Sequence, residues 1–451
     1  MYQVTKTSIN TKHELYGYCS KMTSLSRSLY NASLFRVRNI FTGFDKESLS
    51  DLEKEVLSEV LQTEQACNCK IRNIISYNSL EKMMRITANP DFFAGLPMQS
   101  AQAMVKKAVT DFQNWKKALR KYHSNSFGFT GKPQMPHYIK SEKTTCYITN
   151  QDAVYKNGYL KLPLIKTRMC LPKIPENAVL KEVKIKPYYN DFLILCTFEV
   201  PDVPVNHQNT HVAAIDFGVD NIAAFITDEG HSFLYKGGAI KSCNQYFNKS
   251  KAELVSVLTK GHSRKNVSSH KLRNLSRKRD CFINDQLHKI SKSVIDNCIK
   301  YHVGTIILGV NKGMKQHSNI GKANNQAFAS IPLRRLAFMI TYKAQRAGIT
   351  VLEQEESYTS KADFLCGDYI PVYGKDDEKA VFSGERIKRG LYKSGSGIVL
   401  NADLNGAANI MKKAGIEVSE MNTDAMQNPI VFDFRRLNSK SIPVKGIAAA
   451  M

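Results

Sequence analysis

Long apolar runs are missing from this 451-residue sequence, and without a run of roughly 18 apolar residues no transmembrane helix is expected. Residues 1–19 also lack the apolar segment of a secretory signal. Acidic residues are few, since 40 Asp and Glu stand against 64 Lys and Arg, for a net charge of +24. With an ordinary hydrophobic content of 43%, this excess indicates a folded protein that binds a polyanion, most often nucleic acid.

Paired cysteines are missing as well. The ten cysteines follow no regular spacing, no Cys-x-x-Cys pair occurs, and the nearest two are Cys67 and Cys69. This pattern suits neither a disulfide scaffold nor a zinc ribbon. We expect reduced, mostly structural thiols in a cytoplasmic protein.

The first half of the sequence divides into a helical part and a strand-rich part. Residues 15–124 repeat apolar residues at helical spacing, and a helix predicted over 99–122 has a basic face beside its apolar stripe. That face suits phosphate contact or simple solvation equally well. Short alternating runs over 125–205 predict a small antiparallel barrel or sheet, and residues 1–14 predict a first strand.

From residue 206 onward, strands alternate with helices. Three strands, a helical stretch over about 246–302, a buried strand, a helix and another strand follow in that order. This order is typical of an RNase H-like α/β domain. Turn-rich residues interrupt the domain after the last strand, a helix over 402–414 completes it, and a disordered tail is expected over 416–451.

Two aspartates stand at the ends of predicted elements. Asp216 ends an apolar strand and precedes Gly218 by two residues, and Asp403 begins a helix rich in small residues. Buried carboxylates are costly unless they are paired or metal-bound, so a divalent-metal site is one interpretation. An aspartate in a turn at 216 and a helix-capping aspartate at 403 are the structural alternatives.

A third carboxylate is missing where such a site needs it. The strand Thr305–Leu308 is followed by Gly309, whereas the next strand ends in Glu355 and Glu356. A glutamate at that neighbouring tip would reach the same metals, and only one of the two would do so, because successive side chains point to opposite faces. Two solvated acids at a strand end are the alternative.

Four segments in register resemble the TnpB family of transposon-encoded RNA-guided DNA endonucleases, which is related to miniature type V CRISPR effectors. They are Asp216–Gly218, Gly309–Gln316, Tyr358–Lys361 and Asn401–Ala407. The resemblance implies a multidomain α+β fold with four parts and a tail. These are a WED β-barrel (1–14 and 125–205), an inserted helical REC region (15–124), an RNase H-like RuvC domain (206–356 and 396–415), a nucleic-acid-binding insertion (357–395) and the tail (416–451).

The resemblance also implies a catalytic site. Asp216 and Asp403 match the family's first and third metal-binding positions, and Glu356, with Glu355 in reserve, replaces the glutamate missing at 309. The implied cofactor is Mg²⁺, as two ions. No zinc is expected, because Asp363 stands where the first cysteine of the family's zinc ribbon would be, and no second cysteine pair exists.

Basic segments predict the contacts with nucleic acid. The helical stretch 260–292 is dense in Lys and Arg, and residues 382–393 mix basic and aromatic residues, as an ordinary basic loop also would. The predicted binding residues are Arg264, Lys265, Lys271, Arg273, Arg277, Lys278, Arg279, Lys312, Lys315, Arg386, Lys388, Arg389, Tyr392 and Lys393.

The leading hypothesis is an RNA-guided DNA endonuclease of prokaryotic type, nucleoid-associated when bound to DNA and without a membrane partner. A guide RNA would pair with double-stranded target DNA next to a short flanking motif, and the RuvC domain would hydrolyse phosphodiesters with Mg²⁺. Because an acid is missing at 309, a nuclease-dead RNA-guided DNA-binding repressor is the alternative. A guide-free structural nucleic-acid binder is a third hypothesis.

Overall fold

The computed structural model describes residues 1–43, 48–71, 73–172, 174–261, 267–310, 330–372, 374, 378, 380–416 and 423–434. They belong to two compact units, Met1–Pro201 and Asp202–Met451. Four predicted nucleic-acid-binding residues lie outside the described residues: Arg264, Lys265, Lys312 and Lys315.

The first unit combines antiparallel strands with a helical insertion. Its helices are α1 (Tyr16–Thr42), α2 (Asp51–Cys67), α3 (Tyr77–Ile86) and α4 (Met98–Ser124). Its strands are β1 (Tyr2–Ile9), β2 (Cys146–Thr149), β3 (Val154–Lys156), β4 (Tyr159–Lys161), β5 (Arg168–Cys170), β6 (Val179–Tyr188) and β7 (Asp191–Glu199). One sheet has the order β1-β7-β6-β2 and the other β3-β4-β5, so the four helices are inserted between two strands of one sheet.

Helix packing in this unit follows the apolar stripes, with one exception. As predicted, α4 buries a stripe that includes Met104 and Phe112. The apolar residues of α2 are divided, since Val56 and Val60 are buried whereas Leu52 and Leu61 are 59% and 57% exposed. A helical repeat therefore shows which residues share a face but not how wide the buried stripe is.

The second unit is built on a six-stranded mixed sheet with the order β12-β11-β8-β9-β10-β16. β8, β9 and β10 are antiparallel, β11 and β12 run parallel to β8, and β16 runs parallel to β10. The strands are β8 (His211–Asp216), β9 (Asn221–Thr227), β10 (Ser232–Lys236), β11 (Val303–Gly309), β12 (Thr350–Gln354) and β16 (Ile430–Phe432). The helices are α5 (Gly238–Thr259), α6 (His270–Lys300), α7 (Leu333–Arg346), α8 (Ala402–Lys413) and α9 (Thr423–Gln427).

The sheet separates two layers of core. On β8, Ile215 packs in the cluster that includes α6 and α7, and Ala214 packs in the cluster that includes α8. On β11, Leu308 belongs to the α6 and α7 cluster. Because strand side chains alternate between faces, Asp216 and position 309 both lie on the α8 face.

Two features of this unit differ from the sequence expectations. The helical stretch predicted over about 246–302 is two helices, α5 and α6, and Gly261, just after α5, has a positive φ of 78°. The strand predicted to run to Glu356 ends at Gln354, so Glu355 and Glu356 follow the strand rather than belong to it.

The expectation of a disordered tail is wrong for residues 423–434. They form α9 and the edge strand β16, which pairs with β10. Phe432 stacks on Tyr235 with ring centroids 5.2 Å apart, and Ser232 Oγ donates a hydrogen bond to the carbonyl of Ala425. The apolar residues of this short segment thus cover the sheet edge, although the surrounding sequence is polar. The rest of the predicted tail, 417–422 and 435–451, lies outside the described residues.

The predicted insertion contributes two strands to a small antiparallel sheet with the order β13-β14-β15, and the third strand, β15, lies beyond residue 395, in the range predicted as part of the RuvC domain. The three strands are β13 (Glu385–Lys388), β14 (Leu391–Lys393) and β15 (Val399–Asn401). β15 leads directly into α8, so this sheet lies next to the start of that helix in the chain.

Candidate active site

The candidate site is formed around Asp216 at the end of β8, on the α8 face of the sheet. In the parallel register Ile215 lies opposite Leu308, which makes Gly309 the next residue beside Asp216. α8 packs closely here, because a Cβ at Gly406 would lie only 2.9 Å from Asp216 Oδ2. A glycine at 406 is therefore what allows the helix to approach the carboxylate.

Asp403 lies in the first turn of α8 but is not the residue that caps it. Asn401 is the N-cap, and its Oδ1 accepts hydrogen bonds from the backbone N–H groups of Asp403 and Leu404 at 3.0 and 3.2 Å. The Asp403 carboxylate instead accepts a hydrogen bond from Asn221 Nδ2 at 2.6 Å. The helix-capping alternative therefore applies to Asn401 and not to Asp403.

Glu356 occupies the space that a side chain at position 309 would fill. A Cβ built on Gly309 would lie 2.8 Å from Glu356 Oε2 and would also collide with the Ile410 side chain on α8. The carboxylate from the β12 end thus lies against the strand position where an acid was expected. The acid at this position therefore comes from the residues that follow the neighbouring strand β12, and not from β11 itself.

Glu355 faces a different set of partners. Its Oε2 accepts hydrogen bonds from Lys413 Nζ at 2.7 Å and from Ser357 Oγ. Its Oε1 accepts one from the backbone N–H of Ser357. Burial raises the pKa of Glu355, but these hydrogen bonds outweigh it and leave the pKa below its usual value. A carboxylate satisfied in this way is a support for the loop after β12.

Like charges are crowded at the candidate site. Burial raises the pKa of Asp216 well above its usual value, and the nearby negative charges of Glu356 and Asp403 raise it further. Burial, with a smaller contribution from Glu355, raises the pKa of Glu356 to about 7. A cation bound beside these carboxylates would favour their ionised form, because its positive charge offsets the cost of crowding and burying negative charge.

Two arginines of the β13–β14 hairpin reach the acids beside the site. Arg386 Nη2 lies 3.5 Å from Asp403 Oδ1, and the Arg386 side chain is 49% exposed. Arg389 and Lys241 both form ion pairs with Asp220. Burial acts to raise the pKa of Asp220, but the hydrogen bond from Lys241 and the two positive charges lower it overall.

Not every predicted nucleic-acid contact is available on the surface. Tyr392 is only 1% exposed, and its hydroxyl donates a hydrogen bond to the carbonyl of Lys361, so its ring cannot stack on a base. Arg279 donates to Asn244 Oδ1 at 2.7 Å and lies over the Phe247 ring. Composition predicted that Tyr392 would be exposed and that Arg279 would be free to bind, whereas both side chains contact other residues of the protein.

The remaining predicted contacts divide by exposure. Arg277 is half-buried on α6. The exposed cations are Lys271, Arg273 and Lys278 on α6 and Arg386, Lys388, Arg389 and Lys393 in the insertion.

The acidic side chains at the site have donor atoms of the kind that a divalent cation binds. Within the described residues, no three His, Cys, Asp or Glu side chains are grouped as a ready-made metal centre. Asp216, Glu356 and Asp403 nevertheless offer only carboxylate oxygens, which hard cations such as Mg²⁺ prefer. The glycines at 309 and 406 keep space around two of these carboxylates. The residues present fit Mg²⁺ in donor chemistry.

Sequence reasoning missed two residues that support the site, Asn221 and Lys413, whereas the small residues of α8, with Gly406 among them, were expected to let this helix lie close against the sheet. Gly406 lies one helical turn after Asp403, and a glycine at that spacing on an acid-bearing helix signals a close approach. Asn221 and Lys413 contact residues of other elements, so no local sequence pattern predicts them.

None of the described helices combines the length and apolar character that a bilayer crossing requires.

Comparison with known protein families gives two matches. The family described as "Probable transposase" matches residues 195–315, and the family described as "Cas12f1-like, TNB domain" matches residues 334–410. The first range contains Asp216 and Gly309, and the second contains Glu356 and Asp403. The matched segments therefore carry every residue of the candidate site.

Individual proteins are similar to parts of the chain. A TnpB-like protein of Acidianus two-tailed virus is 31% identical over 251 residues, which is 53% of this chain and 48% of the viral protein. The CRISPR-associated endodeoxyribonuclease Cas12f1 of Sulfoacidibacillus thermotolerans is 31% identical over 124 residues, 27% of this chain and 25% of that protein. The chain thus matches half or less of the length of these two relatives.

A solved structure titled as a Cas12f1–sgRNA–target DNA complex is also similar. It is 14% identical, with a TM-score of 0.45 over 88% of this chain and 82% of that one.

Proposed function

We propose that this chain, a member of the TnpB family, is an RNA-guided DNA endonuclease with a RuvC-type site formed by Asp216, Glu356 and Asp403. The observation that carries the proposal is the position of Glu356. Its carboxylate lies against Gly309, the strand residue beside Asp216, and so supplies an acid where the second strand lacks one. Three acids from β8, the β12 end and α8 then serve one site.

The three carboxylates would hold Mg²⁺, which when bound supplies the positive charge that activates water and stabilises the leaving oxygen of the phosphodiester. The chain's own residues prepare this binding. Asn221 orients Asp403, and a cation would offset both the burial and the repulsion from Glu356 and Asp403 that raise the pKa of Asp216. The exposed guanidinium of Arg386, beside Asp403, would contact a phosphate of the substrate.

The proposed partners are a guide RNA and double-stranded target DNA next to a short flanking motif. The supporting observations are the exposed cations Lys271, Arg273 and Lys278 on α6 and the net charge of +24. We assign the sheets of the first unit to the WED part and the helices inserted between β1 and β2 to REC. Residues 357–395 would be the target-binding insertion.

A nuclease-dead, RNA-guided repressor is the second candidate, and Gly309 is the observation that favours it. A RuvC-type strand without its acid would still support guided binding. Relocation of the acid to Glu356 is the reason that we prefer the nuclease.

The experiment purifies the chain with the RNA it binds in cells, sequences that RNA and incubates the complex with matched target plasmid in Mg²⁺. We expect one defined RNA and guided cleavage by the wild-type complex. E356A should lower the cleavage rate by about 100-fold or more, because it removes a carboxylate ligand. E355A is the matched control, one residue away and of the same chemistry, and should keep cleavage within about tenfold of wild type.

The outcomes separate the hypotheses. Target binding without strand cleavage by wild type would favour the repressor, and a random mixture of bound RNA would favour a guide-free binder. Equal, full cleavage by E356A and wild type would contradict the relocated glutamate.

A further inference from the structure

Asp363 is a fully buried acid that the proposed chemistry does not use. Its side chain is 0% exposed. Oδ1 accepts hydrogen bonds from the backbone N–H groups of Leu365 and Cys366 at 3.0 and 3.4 Å. Oδ2 accepts from Ser394 Oγ at 2.7 Å and from the Gly395 N–H at 2.8 Å. One carboxylate thus binds donors from two segments about thirty residues apart.

The two segments are the first arm, residues 363–368, and the second arm, residues 383–395. A second acid, Asp368, also joins them, since its carboxylate accepts hydrogen bonds from the backbone N–H of Asp363 at 2.8 Å and from Ser383. The arms are packed closely as well, because a Cβ at Gly395 in the second arm would lie 3.3 Å from Cys366 Sγ in the first. Carboxylates and backbone donors therefore cross-link the arms.

The first arm is in turn attached to α8. Asn405 Oδ1 accepts a hydrogen bond from the Phe364 N–H of this arm at 3.1 Å. Just before the arm, the carbonyl of Ala362 accepts hydrogen bonds from Asn405 Nδ2 at 2.7 Å and from Asn409 Nδ2 at 2.6 Å. Both asparagines are fully buried. The connection thus runs from α8, which carries Asp403, through the first arm and Asp363 to the second arm.

The second arm contains the β13–β14 hairpin and therefore Arg386. We propose that Asp363 is a positioning residue: its carboxylate joins the two arms and thereby holds Arg386 beside Asp403. The inference rests on the proposed function, since it assigns Asp363 to that same site. The hydrogen bonds to this one buried carboxylate connect the two arms without a covalent bond.

The protonation state of Asp363 agrees with this role. Burial alone would raise its pKa, but the hydrogen bonds from Ser394, Gly395 and Cys366 outweigh burial and lower it. Replacement by asparagine turns one acceptor oxygen into a donor that faces N–H or O–H groups. Hydrogen bonds to charged groups are stronger than those between neutral groups, so their loss should weaken the connection between the two arms.

The test compares D363N with wild type as the complete guide-RNA complex, and D51N is the matched control because Asp51 is an exposed acid on α2. Amide exchange over 383–395 should be at least about fivefold faster in D363N, since the arm loses its hydrogen bonds to Asp363 and keeps only its other attachments. Single-turnover cleavage should slow by at least about tenfold, because a displaced arginine no longer meets the substrate. Binding of guide RNA should stay within about twofold of wild type, and binding of target DNA should fall less than the cleavage rate does.

A rescue variant separates positioning from a general loss of structure. Cys366 Sγ lies 3.4 Å from Ser394 Oγ, so S394C places a second thiol next to Cys366. D363N/S394C, with exposed Cys69, Cys170 and Cys281 changed to serine, should regain cleavage when the new disulfide is formed and lose it again on reduction. S394A removes a single donor and should give an intermediate cleavage rate.

The proposal is overturned if D363N keeps wild-type exchange over 383–395, or if it cleaves at the wild-type rate. It is also overturned if binding and cleavage fall together and oxidation restores neither. Absence of cleavage by the wild-type complex would instead contradict the proposed nuclease, and the exchange measurement would then test the cross-link by itself.

Discussion

Gly309 has no side chain, and the Glu356 carboxylate occupies the space beside it. A Cβ at Gly309 would meet the Glu356 carboxylate and Ile410, so G309A should displace both. We expect the free energy of unfolding to fall by about 1–3 kcal/mol and the cleavage rate to fall at least about tenfold. Urea unfolding and single-turnover cleavage measure the two effects. G17A is the control, because Gly17 has open space around its Cβ position, and wild-type cleavage by G309A would contradict this prediction.

Glu356 should make the stability of the metal-free protein depend on pH. Burial, then Glu355, raises its pKa to about 7, above the value of 4.5 expected in the unfolded chain. The folded state therefore disfavours the ionised form, and stability present below pH 4.5 is lost as the pH rises through about 7. In EDTA, E356Q should be more stable than wild type at pH 8 by about 1–3 kcal/mol and nearly equal at pH 5. A difference that is the same at both pH values would contradict this assignment.

At the scale of one element, α8 orients Asp403 through its cap. Asn401 Oδ1 accepts the first two free N–H groups of the helix, so N401A should lower the free energy of unfolding by about 1 kcal/mol. S76A, which removes the side-chain cap of α3 in the first unit, should have a similar effect on stability. Only N401A should also slow guided cleavage, because only that helix carries a site carboxylate. Equal cleavage by the two variants would show that the α8 cap does not position Asp403.

Elements with a strong local pattern were predictable, and elements that depend on distant partners were not. β8, predicted over 211–217, and α7, predicted over 333–347, each end within a residue of those bounds, because apolar runs and helical repeats are local. β16 was missed since its three residues gain stability only by pairing with β10, far away in the chain. The choice between Glu355 and Glu356 was likewise open, because it depends on a lysine that α8 supplies.

At the scale of the molecule, the charge of +24 indicates a polyanion partner but not which cations serve it. Fold position separates exposed Lys278 from Arg279, which is used in packing, although the two are adjacent in sequence. A helix with both kinds of cation explains why charge density alone predicted too many contacts. The same distinction applies to Tyr392, whose buried ring serves the insertion rather than a base.

The charge assignment predicts how binding responds to salt. K271A/R273A/K278A removes three exposed cations of α6, and log affinity for an RNA–DNA hybrid of about 20 base pairs should depend less steeply on log salt, by about 2–3 in slope. K54A/K181A/K184A is the matched control, because each of these lysines lies outside α6 and already forms an ion pair with a nearby carboxylate. Its slope should change by less than about 1, since a neutralised cation releases few counterions from the nucleic acid. Equal changes in the two triple variants would mean that total charge, and not the α6 surface, controls binding.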